Sequence, residues 1–171
     1  MHIEKYEIVP QVGFGPIKFG MSPTEVRAIL GEPTETKVTL RPSVTDPDLI
    51  KYLKGRHSEW HGDEPLDGKL PQITYQDNKA IAVTVFKQYG PLIYKGMDLH
   101  KVKKRLKALE TLAADEETYY YDESNFFFPK SGLCIPIPKL AKRHFYITQF
   151  LTEYMTPRLD FEMYEPSTAL D

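Results

Sequence analysis

Residues 17–33, IKFGMSPTEVRAILGEP, contain every signal needed to start and stop a helix within one short run. Ser22 is a good N-cap, Pro23 suits the first helical position, and Glu25 completes a Ser-x-x-Glu capping box. Gly31 can terminate the helix in a left-handed conformation and Pro33 forbids its continuation. The spacing predicts a helix over 23–30 whose apolar face is Val26, Ile29 and Leu30. A helix this short is not stable alone, so that face must pack on something broader, and a sheet is the natural surface. Residues 92–109, LIYKGMDLHKVKKRLKAL, echo the same pattern: Ile17, Gly20, Met21, Val26 and Leu30 stand 76 positions before Ile93, Gly96, Met97, Val102 and Leu106. That offset accommodates one helix and a few strands, which predicts two units over residues 1–90 and 91–171.

The remaining pattern fits such units. In the first, ETKVTLRP alternates as a strand does, and DPDLIKYLKG carries a short helix ending near Gly55. LPQITYQ and AIAVTVF, joined by DNK, form the clearest hairpin in the chain. The polar GRHSEWHGDEPLDGK segment, with Gly55, Gly62 and Pro65, reads as a loop. In the second unit, Asp98 is the expected cap of a helix over 99–108 with Leu99, Val102, Leu106 and Leu109 on one face. EETYYYDES, NFFFPKSG, LCIPIP and RHFYITQF then read as four strands. Pro136 and Pro138 predict an edge or bulged position for the third of them, and the segment from Met155 holds a short terminal strand before a mobile tail. The fold class is α+β, with helices layered on antiparallel sheet.

A chain of 171 residues buries roughly 70% of its extended surface when compact, so a substantial core is available. Its 22 Lys and Arg against 24 Asp and Glu give a net charge of −2, which disfavours nucleic acid or an anionic membrane as partner. Lys101, Lys103, Lys104, Arg105 and Lys107 are expected as a solvated helix face. One cysteine, Cys134, excludes an internal disulfide framework and a Cys-rich zinc site, and between Leu133 and Ile135 it reads as a buried thiol. The N-terminus has no apolar run of signal-peptide length and no stretch is long enough to span a bilayer, so a complete chain is expected in the cytoplasm.

The helix-entry signature of Ile17, Gly20, Met21, Ser22, Glu25, Val26, Leu30, Gly31 and Pro33 resembles that of the beta-lactamase-inhibitor-like superfamily, which includes small outer-membrane assembly lipoprotein domains. A degraded second copy is carried by Ile93, Gly96, Met97, Asp98, Val102 and Leu106. The resemblance implies a tandem fold over about residues 12–155, with two similar helix-plus-sheet units whose sheets can join into one concave surface. It also implies a binder, inhibitor or assembly factor. Without a lipid-bearing cysteine or disulfides, the implied role is an intracellular protein-binding inhibitor, such as an immunity protein that neutralises a toxin. The alternative is a non-catalytic assembly scaffold.

No catalytic, cofactor or metal constellation stands out. Gly13, Gly15 and Gly20 lack the spacing of a phosphate loop, and Ser58 and Cys134 lack partners for nucleophilic catalysis. His57 and His61 stand four apart, but the glycines around them oppose the helix a zinc pair would need. Candidate interface residues are therefore Trp60, with Glu59, Asp63 and Glu64 beside it, and the tyrosine run Tyr119, Tyr120 and Tyr121 with Asp122 and Glu123. Aromatic rings offer contact area with a polar tip, and flanking acids select a basic partner protein.

Overall fold

The computed structural model describes residues 6–40, 42–61, 71–86, 91–122, 125–136 and 146–154, with backbone alone for Tyr52, Phe86, Tyr120, Tyr121 and Asp122. The chain opens with β1 (Tyr6–Val9), the hairpin β2 (Gly13–Phe14) and β3 (Ile17–Lys18), and α1 (Pro23–Leu30). β4 (Glu35–Val38), α2 (Pro47–Leu53), β5 (Arg56–Trp60), β6 (Gln72–Gln76) and β7 (Lys79–Phe86) follow. A second run comprises β8 (Leu92–Tyr94), β9 (Met97–Asp98), α3 (Val102–Asp115), β10 (Tyr119–Asp122), β11 (Asn125–Phe128), β12 (Leu133–Pro136) and β13 (Tyr146–Phe150), closed by a 3-10 turn at Thr152–Tyr154. The fold is α+β.

α1 has the expected bounds and caps. Ser22 Oγ accepts from the Glu25 amide at 3.2 Å, Glu25 Oε2 accepts from the Ser22 amide at 2.7 Å, and the Gly31 amide donates to the Arg27 carbonyl. Val26 and Leu30 are buried beneath it.

Two sheets hold the rest. The larger has eight strands in the order β10-β11-β12-β13-β7-β6-β5-β4, every neighbour antiparallel. Each half of the chain contributes one four-stranded meander, and the last strands of the two, β7 and β13, meet at the centre. The smaller sheet, β3-β2-β1-β8-β9, joins the halves again through parallel pairing of β1 with β8. Alternation along the large sheet sends Ile73, Tyr75, Val83, Val85, Ile147, Leu133, Ile135, Phe126 and Phe128 to one side, where they share a single apolar cluster with Tyr6, Phe14, Val26, Leu92 and Leu109. We refer to this side as the core face and to its reverse as the outer face.

Three local expectations are corrected. The second helix starts at Val102, not Leu99, and its N-cap Lys101 makes no side-chain cap bond. Asp98 instead closes β9 and accepts from the His100 amide at 3.1 Å, while Leu99 is buried in the turn before the helix. The helical phase shifts accordingly. Val102 is 50% exposed and Leu106 half-buried, whereas Arg105, Ala108, Leu109 and Leu112 face inward, so the 76-residue textual offset is not a packing equivalence. Arg105 therefore leaves the solvated face, with Nη1 donating to the Leu99 carbonyl at 2.8 Å, while Lys101, Lys103, Lys104 and Lys107 are exposed.

Second, Pro136 lies in an internal strand. It is the last residue of β12, opposite Asn125, beyond the two registered pairs that join β12 to β13, so its missing amide interrupts no bond there. Pro138 and the terminal strand expected after Met155 lie outside the described residues. Third, residues 56–60, read as loop, form β5, fully paired with β4 and β6. Cys134 is buried, as expected.

Leu30→Ala and Leu109→Ala should each lower unfolding free energy by about 2–5 kcal/mol, because buried contacts vanish and a cavity remains. Val102→Ala should cost under about 0.5 kcal/mol in the same denaturant titrations. A comparable loss at all three positions would contradict the assigned phase of α3.

Candidate functional site

β5 places alternate side chains on opposite sides of the sheet. His57 and Glu59 turn to the core face, where their cross-strand partners are Tyr75 and Ile73; Ser58 and Trp60 turn outward, opposite Thr74 and Gln72. His61, just past the strand, continues the inward set and is 3% exposed. α1 lies over this end of the sheet and delivers Arg27 to the same point.

The result is a compact charged cluster around a fully buried carboxylate. Arg27 donates from Nη2 to Glu59 Oε1 at 2.6 Å and from Nε to Oε2 at 3.2 Å, a two-bond grip that raises the guanidinium pKa above its ordinary value. His57 Nε2 lies 3.9 Å from Glu59 Oε1, and the His57 ring stacks on Tyr75 with centroids 5.0 Å apart. His61 Nδ1 lies 3.1 Å from the Gly31 carbonyl, an acceptor, so that nitrogen carries the proton in the neutral ring. The other nitrogen, Nε2, is then a bare acceptor 3.5 Å from Glu59 Oε2 and has no hydrogen bond. Burial lowers the His61 pKa, outweighing the attraction of Glu59. Burial, then Glu59, pushes the Tyr75 hydroxyl upward, and its oxygen likewise has no hydrogen-bond partner.

A carboxylate gripped in this way is compensated for charge and held in place, a poor arrangement for a free general base. Ser58 is on the reverse side of the sheet, hydrogen-bonded to Thr74 at 2.9 Å. Among the described residues, no group of three or more His, Cys, Asp and Glu side chains is arranged to hold a metal ion.

The outer face is where the expected interface residues separate. Trp60 is half-buried there, with Lys37 Nζ 5.4 Å from its ring centroid. Glu35 and Gln72 flank it on the neighbouring strands and Ser58 and Thr74 share the face, which continues across the sheet to Thr84 and Thr148, whose hydroxyls are 2.9 Å apart. Glu59 does not belong to this surface: strand alternation turns it into the core, so the expectation that it meets a partner is corrected. Tyr119, half-buried, donates its hydroxyl to Glu117 and pairs in register with Phe127. Tyr120, Tyr121 and Asp122 follow it in β10. Asp63, Glu64 and Glu123 lie outside the described residues. Trp60 and Tyr119 are not one patch, for β5 and β10 stand six strand steps apart, roughly 30 Å.

Arg27, His61 and Tyr75 were not among the expected site residues. A period-two signal for His57, Glu59 and His61 was present in the sequence, but nothing local tied Arg27 to them. No protein-family model, curated protein or solved structure matches the chain.

The unfolded chain takes a proton on His61 near pH 6.5 while the folded chain resists it, so stability should fall as pH drops below about 6.5. His61→Asn, which keeps a donor for the Gly31 carbonyl, should flatten that slope in denaturant titrations between about pH 7.5 and 5. An unchanged slope would contradict the buried neutral imidazole.

Proposed function

We propose that this chain is a protein-binding inhibitor of the immunity class, acting in the cytoplasm and neutralising a toxin or enzyme by direct contact through the outer face around Trp60. The observation that carries the reading is the setting of Trp60: a large amphipathic ring, half-buried and facing outward, flanked across the strands by Glu35 and Gln72, with Lys37 over its face and Ser58 and Thr74 on the same side of the sheet. Such a ring supplies contact area at small entropic cost, while the polar surround supplies adaptable hydrogen bonds. The resemblance of the 17–33 segment to a superfamily rich in binders and inhibitors supports the same reading, as does a buried carboxylate whose oxygens are already engaged by Arg27.

Affinity capture from the native source, followed by binding and activity measurements on the recovered protein, tests the reading. Loss of that protein's toxic activity on complex formation is the expected result, and binding without inhibition would move the role to an assembly scaffold. Turnover of a small substrate by the purified chain, with no specific protein recovered, would overturn it. In a recovered complex Trp60→Ala should weaken binding by about 2 kcal/mol, roughly thirty-fold, with the fold intact.

A further inference from the structure

We infer that β4 is a self-association edge, along which two copies of this chain pair antiparallel about Thr36 so that Glu35 of each copy faces Lys37 of the other. The inference stands apart from the proposed function and rests on the edge itself.

β4 ends the eight-stranded sheet, and among the described residues no strand pairs with its outer side. Its main chain is aimed for pairing. The register sets Thr36 opposite Glu59, Lys37 opposite Ser58 and Val38 opposite His57, and the Thr39 amide donates to the Arg56 carbonyl at 3.0 Å. Hydrogen-bonded pairs alternate along an antiparallel ladder, so the amide and carbonyl of Lys37 face β5 while those of Thr36 and Val38 face outward. Thr36 is thus the residue able to exchange both main-chain bonds with its own copy across a two-fold axis.

Side-chain charge selects the same centre. Thr36, Lys37 and Val38 are exposed, Val38 at 67%. An edge lysine ordinarily discourages strand addition by burying or opposing its charge. Here Lys37 Nζ lies 2.8 Å from Glu35 Oε1, so the edge carries both signs on one face, two residues apart. An axis through Thr36 turns that spacing into two Glu–Lys pairs directly across the junction, the favourable cross-strand arrangement. An axis through Lys37 would set that lysine against itself. Pairing about Thr36 keeps the outer faces of both copies on one side and brings the two Trp60 rings within three strand steps, roughly 15 Å.

Sedimentation velocity over a concentration series tests the inference. The wild-type chain should show a reversible monomer–dimer equilibrium. Glu35→Lys alone and Lys37→Glu alone each place like charges across the junction and should remain monomeric, with unchanged far-UV circular dichroism. An equimolar mixture of these two variants restores opposite charges at both contacts and should dimerise, as should the Glu35→Lys/Lys37→Glu double exchange. A wild-type chain that stays monomeric throughout the series overturns the inference. So does a dimer that the single exchanges leave intact, or one that mixing them fails to restore.

Discussion

The antiparallel pairing of β7 with β13 is the contact on which the rest of the molecule depends. Five registered pairs, from Tyr146 opposite Phe86 to Phe150 opposite Ala82, join two meanders that would each otherwise present an unpaired inner edge. Val83, Val85 and Ile147 become buried at that seam. The seam also anchors the smaller sheet. Gln149 of β13 donates to the Val9 carbonyl at the end of β1, and Gln11 reaches the Phe150 carbonyl and the Thr152 hydroxyl and amide. The turn before β12 is fitted just as closely: at Gly132, φ is +68° and a Cβ would collide with the Phe150 carbonyl, so glycine is required.

A second constraint is the placement of charge inside this framework. Burying Glu59 is costly, and the two-bond grip of Arg27 offsets that cost only when α1 lies in one position over β5. The ion pair therefore acts chiefly to position the helix. Two polar atoms beside it, His61 Nε2 and Tyr75 Oη, have no hydrogen bond, which concentrates the unsatisfied polarity of this end of the core around one carboxylate. Proton uptake at His61 is consequently tied to the packing of α1.

Much of the fold was legible because its signals are local. The capping box, Gly31 and Pro33 delimit α1 without reference to anything distant, and the DNK turn with flanking alternation defines β6 and β7. The start of α3 is not decided by local sequence, because Asp98 fits a helix cap as well as it fits the end of a strand. Only the burial of Leu99 within the turn that precedes the helix decides between them, and that is a tertiary fact. β5 was hidden for a related reason: RHSEW is polar on both sides, and its inward set, His57 and Glu59, is recognisable as a core face only once Arg27 is known to meet it. The interface expectation was divided in the same way. Strand alternation keeps Trp60 outside and sends Glu59 in, and the order of eight strands separates Trp60 from Tyr119. Edge strand β4 carried a visible Glu-x-Lys spacing, but its meaning depends on knowing which strand ends the sheet.

Native-state hydrogen exchange at the β7–β13 seam examines the central claim most directly, since amides that open only on global unfolding report the stability of the whole cooperative unit. The account predicts that seam amides from both strands, including those of Val83, Val85, Ile147 and Gln149, share one opening free energy equal to that of global unfolding. It also predicts that buried strands in both halves approach the same value. Separate opening energies for residues 6–86 and 91–154, with early exchange at the seam, would show instead two independently stable halves in weak contact and would contradict a fold built on that pairing.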